Sequence, residues 1–182
     1  MHKFILDKDQ AILMVIDIQE RLVPAMSAAD QVINNTNILI STAKEFNMPI
    51  ITTEQYPRGL GRTVPQLKDN IDPNYLFEKT SFTAYTEEVK HTLEKLNRKK
   101  IIISGMETHI CVFQTIRDLL TAGYDVFVAS DGVCSRTKEN YNNGLRLIGN
   151  IGAVITNTET IVFDLLKAAG TPEFKVLSKL IK

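Results

Sequence analysis

Three side chains in this chain stand where an α/β protein can do chemistry. Cys111 lies in Gly105-Met106-Glu107-Thr108-His109-Ile110-Cys111-Val112, where an apolar, strand-like run gives way to a helical pattern. A helix N-terminus favours thiolate, so the thiol pKa is expected below the roughly 8.5 of free cysteine. Free amides at such a terminus can also bind an oxyanion. The same position suits a buried structural cysteine, which is how Cys134 is read. Asp17 ends the apolar run before it, and an acid there must be solvated, paired or capping nearby amides. Lys79 closes a weaker run ahead of Thr80-Ser81-Phe82. Alone it reads as an exposed lysine; apolar surroundings would lower its pKa and a carboxylate would raise it. His109 is close to Cys111 in sequence, but residues two apart on a helix point in different directions, so it is read as structural or peripheral. His2 and His91 have no motif context. No His/Cys/Asp cluster has zinc-ligand spacing, and there is no GxGxxG or P-loop fingerprint, so neither metal nor cofactor is expected.

The elements that must position these residues alternate along the chain. Near-continuous apolar runs at 11–17, 49–54, 100–105, 124–130 and 153–156, with a weaker one at 75–79, predict strands covered on both faces. Helical patterns fill the gaps at 32–46, 86–96, 111–122, 138–148 and 158–169, and a short helix is predicted from about 172. Repeated β-α-β order predicts a three-layer α/β fold with right-handed crossovers. In such sheets ligands bind outside the carboxyl ends of the strands, where Asp17, Lys79 and Cys111 all fall. The segment 55–74, with Pro57, Gly59, Gly61, Pro65 and Pro73, is predicted as a long loop, either a surface connection or a functional one.

The 182 residues are read as one domain, 1–182, without repeats or linkers. Lys plus Arg and Asp plus Glu both number 21, which argues against nucleic acid or an anionic membrane surface as the main partner. Two cysteines suit a reducing compartment. With no secretory signal and no long apolar run, a soluble cytoplasmic protein is expected.

Taken together, Asp17 in VIDIQ, Lys79 in EKTSF and Cys111 in GMETHICVFQT resemble the Asp-Lys-Cys triad of isochorismatase-like cysteine hydrolases. The TEQYPRGLG loop, the run from VFVASDGVC to TIVFDLL and the terminal FKVLSKLIK resemble the subgroup of isochorismatase-domain-containing proteins, so the similarity covers essentially the whole chain. The resemblance implies a six-stranded parallel sheet with helices on both faces, and a homo-oligomer. It implies Cys111 as nucleophile toward an electrophilic carbon, Asp17 as acceptor and later donor of the thiol proton, and Lys79 as stabiliser of both. It implies a cis peptide at Met106–Glu107 that aims the Glu107 and Cys111 amides into an oxyanion hole. Thr53-Glu54-Gln55-Tyr56-Pro57 carries no histidine where related nicotinamidases hold a metal, so a metal-dependent nicotinamidase is not expected.

The leading expectation is hydrolysis of a small amide or related C–N bond through a thioester, with Gln19, Tyr56 and Phe82 lining the pocket. The alternatives are a thiol redox protein using Cys111, with Cys134 as resolving thiol, and an interaction protein with little catalysis.

Overall fold

The computed structural model describes residues 2–181; Met1, Lys182 and the side chain of His2 lie outside that description. Six strands form one parallel sheet: β1 (Ala11–Ile16), β2 (Ile50–Gln55), β3 (Leu76–Lys79), β4 (Lys100–Met106), β5 (Asp125–Cys134) and β6 (Val154–Thr156), in the order β3-β2-β1-β4-β5-β6. The central strands β1 and β4 read as apolar runs for one reason. Successive side chains point to opposite faces, and both faces are covered. Leu13 and Val15 of β1 pack with Val32, Leu39 and Ile40 of α1 (Ala29–Glu45). Ile12, Met14 and Ile16 pack on the other face, with Val89 and Leu93 of α4 (Glu87–Leu96) and Ile116 and Leu119 of α5 (Phe113–Thr121). Helix α6 (Lys138–Asn150) covers that second face through Ile148, and α7 (Thr158–Leu166) covers the first through Ile161 and Leu165. The last helix, α8 (Pro172–Leu177), packs Leu177 on α7.

The three-layer α/β fold expected from the pattern is therefore the fold observed. Four helices begin on side-chain caps that the sequence spells out: Thr86, Thr137, Asn157 and Thr171 each accept a backbone N–H from three residues on.

Beyond shifts of a few residues at element ends, such as α1 starting at Ala29 and α7 ending at Leu166, three features differ from expectation. The segment 55–74 is not a structureless loop; it holds two short helices, α2 (Pro57–Leu60) and α3 (Pro65–Lys68), each opened by a proline in its first turn. The predicted helix at 111–122 starts as a wider turn over Thr108–Val112, with the Val112 N–H donating to the Glu107 carbonyl, before α5 takes over. And β5 continues past Ser130 to Cys134, because Asp131 and Gly132 lie in a bulge: Ile103 pairs with Val128 but Gly105 with Val133.

Candidate active site

The sheet order places a topological switch point between β1 and β4, since the chain runs outward from β1 through β2 to β3 and then returns beside β1. Asp17 follows β1 and the Cys111 turn follows β4, so the two flank that crevice. Asp17 is fully buried and takes a left-handed φ of 54°, which swings its carboxylate off the strand axis. Lys79 ends β3, with β2 lying between it and β1, a span of roughly 10 Å. Only a long side chain crosses it: Lys79 Nζ donates to Asp17 Oδ2 at 2.7 Å, with 1% and 0% of the two side chains exposed.

The strand between them supplies the rest of the cage. Thr53 Oγ1 donates to Asp17 Oδ1 at 2.7 Å. Gln55 Oε1 accepts from Lys79 Nζ at 2.7 Å, and the Ser81 and Phe82 carbonyls accept at 3.2 and 3.1 Å. Gln55 is itself held by donating Nε2 to the Thr80 carbonyl. Nothing in the linear sequence pointed to Thr53 or Gln55; the signal lies in strand order, which puts the end of β2 between the other two.

Cys111, 7% exposed, hydrogen-bonds Asp17 through its thiol, and the Glu107 backbone faces its sulfur in the sense that favours thiolate. The Met106–Glu107 peptide is cis. Two glycines let this turn form. Gly105 has φ +138°, and a Cβ there would stand 2.1 Å from the Ile16 carbonyl oxygen, so β4 can meet the end of β1 only without a side chain. Gly144 of α6 lies against the Thr108 and His109 backbone, 2.9 Å from where its Cβ would be.

The thiol does not have the low pKa expected of a helix N-terminus. Burial, then the Asp17 carboxylate, push Cys111 up to about 12, and Lys79 and the Glu107 backbone offset only part of this. Burial likewise raises Asp17, against the opposing effects of Lys79 and Thr53. The resting pair is thus a neutral thiol hydrogen-bonded to a buried carboxyl group, held by a lysine. Such an arrangement can pass a proton from sulfur to oxygen as the sulfur attacks.

The remaining expected residues take different places. Gln19 was expected at the pocket wall; it is fully buried, donating Nε2 to the Gln55 and Gly61 carbonyls and accepting from the Gln55 N–H, so it ties the segment after β1 to β2. Tyr56 is half-exposed and, with Pro57, Arg58, Glu78, Lys79 and Thr80, lines a cleft of about 390 Å³. Cys111 and Asp17 are not among its lining residues, so the cleft adjoins the cage rather than containing it. Phe82 is half-exposed and is not among the lining residues of this cleft; its carbonyl accepts from Lys79 Nζ. His109 points away from the thiol, with Nδ1 hydrogen-bonded to Ser135 Oγ at 2.9 Å. Cys134 packs in the core of the α1 face, whereas Cys111 packs in the core of the opposite face, so the sheet lies between the two sulfurs.

At the Thr53–Pro57 segment, Glu54 accepts from the Thr63 N–H and hydroxyl and pairs with Arg62. Among the described residues no group of three or more His, Cys, Asp or Glu is arranged to hold a metal ion.

A family model described as isochorismatase domain matches residues 11–160. The chain is 41% identical to the secreted isochorismatase effector Isc1 of Phytophthora sojae over 94% of its length and 84% of the relative. It superposes on the structure of the MAR1 ribonuclease of Caenorhabditis elegans with a TM-score of 0.91 and 34% identity, covering 97% of this chain and 91% of that one. It also shares its fold with the ycaC gene product of Escherichia coli, described as an octameric hydrolase of unknown specificity (TM-score 0.90, 23% identity, 97% and 90% covered).

Proposed function

The chain belongs to the isochorismatase domain family, and we propose that it is a cysteine-dependent hydrolase that opens a small amide or related C–N bond through a thioester on Cys111. The observation that carries the reading is the buried Asp17–Lys79 pair at 2.7 Å with the Cys111 thiol hydrogen-bonded to the same carboxyl group. A fold alone has no use for a nucleophile, a proton acceptor and a cation in one water-poor crevice.

In this mechanism the substrate carbonyl docks against the Glu107 and Cys111 amides. Sulfur attacks the carbon while Asp17 takes the thiol proton, and Lys79 holds the carboxylate and offsets the charge that develops on sulfur. Collapse of the tetrahedral state returns the proton from Asp17 to the leaving amine. Water then opens the thioester, with Asp17 accepting a proton from the water and returning it to the departing Cys111 sulfur, which restores the thiol. The raised thiol pKa fits this order, because the sulfur is activated only as it attacks.

A redox role needs a standing thiolate and a resolving thiol. The burial of Cys111 and the sheet between it and Cys134 support neither. The ribonuclease named among the structural relatives suggests a second reading for this chain. Its zero net charge offers no excess of cations for phosphates. No helix among the described residues is long and apolar enough to cross a membrane, and both cysteines are free. We place the enzyme, as one hydrolase domain, in the cytoplasm as a homo-oligomer acting on a small molecule without metal or cofactor.

The test is a screen of small amides, hydrogen peroxide and single-stranded RNA with the native protein, Cys111→Ala and Asp17→Asn, each checked for folding. The expected result is amide turnover that falls by about 10²–10⁴-fold without Asp17 and is lost without Cys111. Peroxide consumption that needs Cys111 alone, or RNA cleavage indifferent to both variants, with no amide consumed, would refute it.

A further inference from the structure

Beside the nucleophile turn sits an arginine whose terminal nitrogens are unused. Arg136 follows β5, and its Nε donates to Glu107 Oε2 at 3.0 Å while its own backbone N–H donates to the same oxygen at 3.3 Å. Among the described residues neither Nη1 nor Nη2 has an acceptor. The Glu107 side chain is 8% exposed and that of Arg136 is 55% exposed. Arginine–carboxylate pairs are frequently bidentate, with two nitrogens presented to both oxygens. Here one nitrogen anchors the guanidinium and the outer edge is left facing solvent. That edge is a planar fork of donors, matched in spacing to the two oxygens of a carboxylate. Its anchor, Glu107, is the residue whose backbone faces the Cys111 sulfur, so the fork is held by the side chain of a residue of the nucleophile turn itself. The other charges of the crevice, Asp17 and Lys79, already answer each other.

We propose that the Nη edge of Arg136 binds a carboxylate on the substrate, so that the amide cleaved at Cys111 belongs to a small anionic molecule, such as the half-amide of a dicarboxylic acid. This rests on the hydrolase reading above. The carboxylate would fix which end of the substrate faces the thiol, and Glu107 would hold the guanidinium in place before the substrate arrives.

The experiment compares malonamate and succinamate with isovaleramide and 4-methylpentanamide, in which an isopropyl group replaces the carboxylate at the same shape. The readout is the ratio of kcat/KM for each anionic amide to that for its neutral counterpart, in the native protein, Arg136→Gln, Arg136→Lys and Arg58→Gln. The native ratio is expected to be well above one. Arg136→Gln should collapse it by about 10²-fold, mainly through KM, and Arg136→Lys should restore only part, because charge returns without the fork. Arg58→Gln, at the rim of the neighbouring cleft, should leave the ratio as it was. A native ratio near one, an equal loss on both members of each pair, or a collapse caused by Arg58→Gln instead would overturn the inference and leave the hydrolase reading standing. Should no amide of either kind be turned over, that reading falls. Calorimetry of malonamate with Cys111→Ala, alone and with Arg136→Gln, then decides the carboxylate site: binding lost with Arg136 supports it, and absence of binding refutes it.

Discussion

Replacing Asp17 by Asn is expected to make Cys111 more acidic while lowering turnover by about 10²–10⁴-fold, two effects that point in opposite directions. In the native protein burial and the Asp17 carboxylate push the thiol up to about 12. The thiolate fraction at neutral pH is then on the order of 10⁻⁵, against a few per cent for a free cysteine. Asparagine keeps the shape and the burial but removes the negative charge. A unit charge in hydrogen-bond contact contributes about 4 kcal/mol at an effective dielectric of about 20, which is an upper figure for a group that also has Lys79 as counterion. A fall of at least one pKa unit, about 1.4 kcal/mol, is therefore the conservative expectation. Lys79, without its carboxylate partner, reinforces the direction. The assay is the far-ultraviolet absorbance of thiolate against pH in a Cys134→Ala background, because Cys134 is also pushed up to about 12. Subtracting the same curve for Cys111→Ala isolates one sulfur. The native curve should show no Cys111 thiolate below about pH 10, and the Asp17→Asn curve should rise at least one unit earlier. A native transition at or below about 8.5, or an Asp17→Asn curve that does not move, would show that the thiol is activated by some other route than transfer to Asp17.

Other outcomes follow from the same geometry. Because folding holds Cys111 protonated, its contribution to stability is complete below the free-thiol value of about 8.5 and is lost as pH rises toward its raised folded value; urea midpoints should therefore fall more steeply above about pH 8.5 in the native protein than in Cys111→Ala. Gly105→Ala places a Cβ 2.1 Å from the Ile16 carbonyl oxygen at φ +138°, and should cost more than about 3 kcal/mol in denaturant unfolding. Gly144→Ala pushes α6 off the Thr108 and His109 backbone, and is expected to lower kcat by up to about 10²-fold while leaving the far-ultraviolet circular dichroism native. Gln19→Ala removes three hydrogen bonds, two to Gln55 of β2 and one to the Gly61 carbonyl, and should cost about 2–4 kcal/mol and open residues 56–74 to limited proteolysis.

The linear sequence determined the architecture because the forces that set it are local and periodic. Runs such as AILMVI and KIIISG are apolar at every position, which a strand tolerates only when helices cover both faces, and that already implies layers. Caps at Thr86, Thr137, Asn157 and Thr171 fix helix starts through contacts three residues long. The strand-end positions of Asp17, Lys79 and Cys111 were legible for the same reason. What only the tertiary structure decided depends on strands far apart in sequence. Strand order puts β2 between Lys79 and Asp17, which brings Thr53 and Gln55 into the cage although neither carries a recognisable motif. The inward turn of Gln19 depends on where Gly61 and Gln55 come to rest. The bulge in β5, where Gly132 receives the Ser104 hydroxyl, precedes the stretch that sets Arg136 beside Glu107. The acidity of Cys111 reversed between the two views. The helix N-terminus visible in sequence is a local, partial charge, whereas burial and a full carboxylate from β1 act only once the sheet is assembled, and there they win.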